Sequence, residues 1–278
     1  NDNVAGPPLY VLDFDNKVKL GANGLALLVL VRQFYSDSDI VDLEAAAGLA
    51  EMILKLQRPD GGFESYYSLR GHEPSGDLSL YYPGEAILGL LNLYNVTGEK
   101  RLLDAARRGA DYLIYSQRRM KHLPPDAWLM QALEMLHNYD IDSAASERPR
   151  RCAAHLLALA EAMIRDQYDD NAPAGYAGGF APGVPRSTPA ASRAEGLVAA
   201  YRVAIASGDL RSAAIADALR SSARFQLSQQ LGEKRAARIS NPERARGGFR
   251  ESLTSQRVRI DFVQHNVCSL LQIGLTIF

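Results

Sequence analysis

At 278 residues, with 47% hydrophobic and 23% charged residues, the chain has the make-up of a folded globular domain and excludes overall disorder. A formal net charge of -1 gives no electrostatic reason to bind nucleic acid or an anionic membrane surface. Cys152 and Cys268 are too few for a disulfide framework and lack zinc-ligand spacing, so they read as apolar fillers. There is no apolar run long enough for a membrane span and no signal-peptide start. One domain over residues 1–278 is expected, and the start at Asn1 leaves room for other domains of a longer chain.

Along the chain a unit recurs four times: an apolar helix, a short polar turn, and a longer amphipathic helix that ends near a Gln. The first copy runs from Asn23 through Phe34, turns at Ser36-Asp37-Ser38-Asp39 and continues to Gln57. The second runs from Glu85 to Tyr94, turns at Thr97-Gly98-Glu99-Lys100 and ends at Gln117. The third pairs Asp126–Tyr139 with Arg151–Gln167, and the fourth pairs Glu195–Ala206 with Arg211–Gln229. A fifth apolar helix, Asp261–Ile277, follows without a partner. Apolar residues fall at three- and four-residue steps throughout, and Ser, Asp and Gly fill the turns. The basic stretch Lys234–Arg250 reads as a solvated or mobile loop.

A helical hairpin cannot bury its own apolar stripe, so repeated hairpins must stack. Uneven repeat lengths and bulkier first helices favour a closed ring over an open solenoid. Three connecting loops carry Gly-Gly-Phe, at 61–63, 178–180 and 247–249, which suits tight turns pinned by an aromatic anchor.

The run Gln57-Arg58-Pro59-Asp60-Gly61-Gly62-Phe63 resembles the Gln-x-x-Asp-Gly-Gly-aromatic turns of α/α toroids. That superclass includes terpene cyclases, protein prenyltransferases, and the glycosidases, lyases and sugar epimerases built on six helical hairpins. The resemblance implies an all-α toroid of about five to six helix pairs and covers the repeat pattern of most of the chain. It does not single out a family or a reaction. In such a fold the inner helices run parallel and their N-termini gather at one cavity.

Read at those helix starts, the chain offers Asn23, then Tyr81, Tyr82 and Glu85, then Asp126 and Trp128, then Arg193 and Glu195, then Arg259, Asp261, Gln264 and His265. Capping alone accounts for single acids there, but not for two tyrosines, the only tryptophan, or arginines at the positive ends of helices. Glu85, Asp261, Asp126 and Glu195 are the expected acid and base groups, with Glu85 and Asp261 the preferred pair and His265 supporting from one turn beyond Asp261. Tyr81, Tyr82 and Trp128 are expected to stack on sugar rings, and Arg193, Arg259, Gln264 and Asn23 to contact substrate. No metal and no cofactor is expected. The expected ligand is a small molecule or oligosaccharide, and the expected function a carbohydrate-active enzyme, most simply a glycoside hydrolase or polysaccharide lyase. A sugar epimerase or isomerase is the next reading, and a non-catalytic ligand- or peptide-binding toroid the rival from another class.

Overall fold

A computed structural model describes residues 7–13, 16–37, 40–74, 78–141 and 147–277. Ser38 and Asp39 of the first expected turn lie outside them. Among the described residues the chain forms eleven helices and three short strands, and it falls into two compact units, Asn1–Cys152 and Ala153–Phe278.

In the first unit, α1 (Leu20–Asp37) and α2 (Ile40–Lys55) form one hairpin and α3 (Tyr82–Thr97) and α4 (Lys100–Gln117) the next, followed by α5 (Ala127–Asp140). The two kinds of helix differ as inner and outer members should. Helix α3 is buried on every side, with Pro83, Gly84, Glu85, Ala86, Ile87 and Leu88 all covered in succession, whereas α4 buries a stripe at helical spacing, Leu102, Leu103, Ala106, Ala110 and Leu113. Pro83 sits in the first turn of α3, where its missing N–H costs nothing, and Gly98 closes the helix in the left-handed region with its N–H on Tyr94 O at 2.8 Å.

Helices α1 and α3 meet through glycine. A Cβ on Gly24 would lie 2.7 Å from the backbone carbonyl of Glu85, so only a residue without a side chain lets the two backbones pass at this depth. The contact sets where Glu85 stands.

A small antiparallel sheet, β1 (Lys17–Lys19), β2 (Tyr66–Ser68) and β3 (Glu73–Pro74), also belongs to this unit, with Val18 opposite Tyr67 and Ser68 opposite Glu73. The sequence reading named no strand. Segments of two and three residues are too short for alternation to show, and the proline in β3 is tolerated because that strand is an edge.

Helix α6 (Arg148–Arg165) follows α5 in the chain. The second unit is built on α7 (Ser187–Ser207), α8 (Arg211–Gln229) and α11 (Ile260–Ile277), with α7 packed against both others. Helix α7 begins eight residues before the expected start at Glu195. Pro189 stands in the first turn, where proline is tolerated. A buried chain of side chains, Ser222, Gln226 and Ser269, joins α8 to α11 with bonds of 3.1 and 3.0 Å. The basic stretch is not a featureless loop: it holds α9 (Glu233–Ala236) and α10 (Pro242–Ala245), whose Ala236 and Ala245 pack with Leu231 into a small core of their own.

The three Gly-Gly-Phe loops share one construction. Gln57, Gln167 and Gln230 each pair in an isolated antiparallel bridge with the following Phe63, Phe180 or Phe249, all three of which are buried. Gln57 Nε2 also donates to Gly61 O at 3.1 Å and to Ala105 O of α4 at 2.9 Å, and Gln167 Nε2 to Gly178 O at 3.2 Å and Ala218 O of α8 at 3.0 Å. In these two loops the glutamine that follows one outer helix therefore clasps both its own turn and the next outer helix.

Candidate functional site

In the first unit the start of α3 and the start of α5 bring Tyr82, Glu85 and Asp126 together. Gly21 makes the room: a Cβ there would lie 1.9 Å from Glu85 Oε2 and 2.4 Å from Tyr82 Cδ1. Gly84 does the same for Asp126, whose two oxygens would stand 2.9 and 3.0 Å from an added Cβ. Asp126 caps α5, its Oδ1 accepting from Leu129 N–H at 3.0 Å, while Oδ2 is buried with no hydrogen-bond partner among the described residues. Burial, reinforced by the nearby Glu85 carboxylate and opposed by the backbone N–H groups of Leu129 and Trp128, pushes the Asp126 carboxyl up to about 8. At neutral pH Asp126 is thus largely protonated beside Glu85, which is itself buried.

The Tyr82 ring meets Tyr66 of β2 edge to face, 5.6 Å between centroids, and burial together with Tyr66 and Glu85 raises its hydroxyl to about 12. Tyr66 was missed from the sequence, because nothing in the chain around it marks the short strand that delivers it. Tyr81 is exposed and Trp128 half-buried. Asn23 is fully buried and its amide serves the backbone, accepting from Val11 N–H at 3.1 Å and donating to Lys19 O at 2.7 Å.

The state of Asp126 has a measurable consequence. A carboxyl held near 8 when folded, against about 4 when unfolded, keeps its proton in the native state across that window, so stability falls as pH rises from about 4 to 8 and is level above it. Asp126→Asn is expected to remove this slope, on the order of a few kcal/mol between pH 5 and pH 8, in denaturant midpoints measured at both values. Identical pH dependence in both proteins would show that Asp126 is ionised in the fold.

In the second unit the residues stand differently from expectation. Arg193 and Glu195 lie two turns into α7. The Arg193 guanidinium lies over the Phe180 ring of the Gly-Gly-Phe loop, 5.2 Å from its centroid, and donates to Pro189 O at 3.3 Å. Asp261 does not hold His265. Arg259 takes both Asp261 oxygens at 2.9 and 3.1 Å, two residues along, and also covers the Phe262 ring.

His265 Nδ1 instead meets Glu195 Oε1 of the neighbouring helix at 3.2 Å. The Glu195 side chain is 4% exposed and that of His265 15%. Burial raises the Glu195 carboxyl above its ordinary range, and the hydrogen bond and charge of His265 work against that rise. When ionised, Glu195 can only accept, so Nδ1 carries the proton and Nε2 is the basic nitrogen. Gln264 is exposed on α11 and donates to Cys268 Sγ at 3.6 Å. Glu85 belongs to the first unit and Asp261 to the second, and each has its local partners there.

At the mouth of α7 and α11 lies a pocket of about 210 Å³ lined by Arg186, Thr188, Glu251, Arg257, Arg259 and Asp261, with Pro189 and Phe262. The start of α7 is fixed beside it by Ser187, which donates from N–H to Glu251 O at 2.8 Å and from Oγ to Arg250 O at 2.7 Å.

No protein-family model matches this sequence, and no curated protein does. Solved structures do. A sugar epimerase from a ruminal bacterium is 13% identical with a TM-score of 0.64, over 100% of this chain and 81% of that one. A polysaccharide lyase is 12% identical, TM-score 0.57, over 92% and 73% of the two chains. A glycosyl hydrolase of family 88 from Bacteroides vulgatus is 12% identical, TM-score 0.57, over 93% and 75%. At such identities the likeness concerns the fold, and these proteins carry three differently named activities, so it selects no reaction. The helical hairpins described above and these likenesses together give the chain the α/α-toroid fold.

Proposed function

We propose that the protein is a carbohydrate-active enzyme that moves a proton at a sugar carbon, as epimerases, isomerases and polysaccharide lyases do, with His265 as the base and Glu195 as the residue that positions it. The observation that carries this reading is the 3.2 Å contact between the His265 ring and the buried Glu195 carboxylate. A base oriented by a third group is the usual arrangement for general-base proton abstraction. The solved structures of the same fold that are named for sugar chemistry support the substrate class.

Glycoside hydrolysis is the second reading, favoured by one observation in the first unit. Asp126, held protonated at neutral pH, stands near the Glu85 carboxyl group, and a raised acid beside a second carboxyl group is the pairing that hydrolysis uses.

Incubation with a panel of mono- and oligosaccharides in deuterium oxide, followed by proton NMR, separates the two. Deuterium appearing at a sugar carbon, and lost in His265→Gln, is the expected result. New reducing ends without exchange at carbon would favour hydrolysis and sink the proton-transfer reading, as would the absence of any turnover.

A further inference from the structure

The pocket at the mouth of α7 and α11 has a composition that neither reading uses. Three arginines, Arg186, Arg257 and Arg259, line about 210 Å³ together with two carboxylates, Glu251 and Asp261. Arg257 Nη2 donates to Glu251 at 2.7 Å and Arg259 to Asp261 at 2.9 Å, which leaves one positive charge in excess. Arg186 also lies close enough to Glu251 to hold its carboxyl below the ordinary range, though Arg257 and Ser255 contribute more. The Arg186 guanidinium itself has no hydrogen bond among the described residues. Both long helices also point their N-terminal N–H groups to this end.

We infer that this pocket binds the carboxylate of an acidic sugar, a uronate, with Arg186 as the main contact. One surplus positive charge suits a monoanion better than a phosphate dianion. The volume, below the roughly 300–1,000 Å³ of pockets for larger ligands, suits one ring and its charged substituent. The guanidinium is the side chain whose planar fork matches a carboxylate. The inference rests on the proton-transfer reading for its sugar context and sharpens it. His265 follows the pocket residue Asp261 by one turn of α11, about 6 Å along the axis, and a neutralised carboxylate acidifies the C–H bond next to it.

The test is calorimetric or NMR titration of the full chain with D-glucuronate, D-galacturonate, D-glucose and glucose 6-phosphate. Binding of at least one uronate is expected, at least tenfold tighter than glucose and tighter than the sugar phosphate, with at least tenfold loss in Arg186→Gln and partial recovery in Arg186→Lys. Raising salt on the wild-type protein, from about 0.05 to 0.5 M, should weaken the uronate and leave glucose unchanged, a check that needs no variant. Equal affinity for glucose and both uronates, tighter binding of the phosphate, or indifference to Arg186→Gln and to salt would overturn the inference. Comparing binding with turnover in the wild-type protein separates the two claims. Uronate binding retained without any turnover in wild type leaves the subsite standing and removes the reaction. Turnover on neutral sugars only removes the subsite and leaves the reaction.

Discussion

Replacing His265 by glutamine is expected to lower kcat on the sugar substrate by ~10²- to 10⁴-fold, the usual worth of a positioned general base, with KM little changed. Glutamine can still donate to Glu195, so the buried carboxylate keeps a partner and the melting temperature should move little. Glu195→Gln is expected to give a smaller loss and a different pH profile. Burial holds the Glu195 carboxyl above its ordinary range, so in the wild-type enzyme falling pH protonates it early and removes the acceptor that orients the ring. Activity should therefore decline on the acid side in wild type, and that part of the decline should vanish in Glu195→Gln. Activity within tenfold of wild type for His265→Gln would refute the assignment.

The largest stability effect is expected at Gly178. Its φ is +83°, and an added Cβ would stand 2.1 Å from the Ser221 carbonyl oxygen of α8, a backbone atom that cannot turn aside. Gly247 offers the control, since it has a φ of +81° in the equivalent loop but nothing within 4 Å of an added Cβ. Gly247→Ala should cost only the left-handed backbone term, about 1–2 kcal/mol. Gly178→Ala should cost that plus the overlap, about 3 kcal/mol or more in total, read as a shift of the denaturant midpoint. Equal shifts in the two variants would mean that the turn yields at Ser221 and that close packing is not what fixes glycine there.

The helices and their pairing were legible because apolar periodicity is local: each copy shows its own stripe, and glycine or polar residues stop it at Gly98 and Gly208. The start of α7 was not, since Ser187-Thr188-Pro189 is compatible with either a loop or a first turn and only its anchorage on residues 250 and 251 decides. Side-chain partners were legible least of all. Glu195 and His265 are separated by 70 positions, so their meeting depends on how α7 and α11 pack, and no spacing rule along one helix could supply it. Sequence spacing favoured Asp261 for His265, but a guanidinium two residues from Asp261 offers two charge-assisted bonds and wins that competition. Asp126 was visible as a polar residue at a helix start, while its protonation follows from a burial that only three dimensions reveal.

The glutamine clasps reach further than the turns they close. Because Gln57 bonds at once to its own loop and to α4, and Gln167 to its own loop and to α8, a hairpin cannot open without also releasing a carbonyl on its successor. Neighbouring repeats within each unit are thereby coupled energetically, so unfolding should spread from one hairpin to the next as a cooperative event, with hydrogen exchange at α2 and α4 rising together and likewise at α6 and α8.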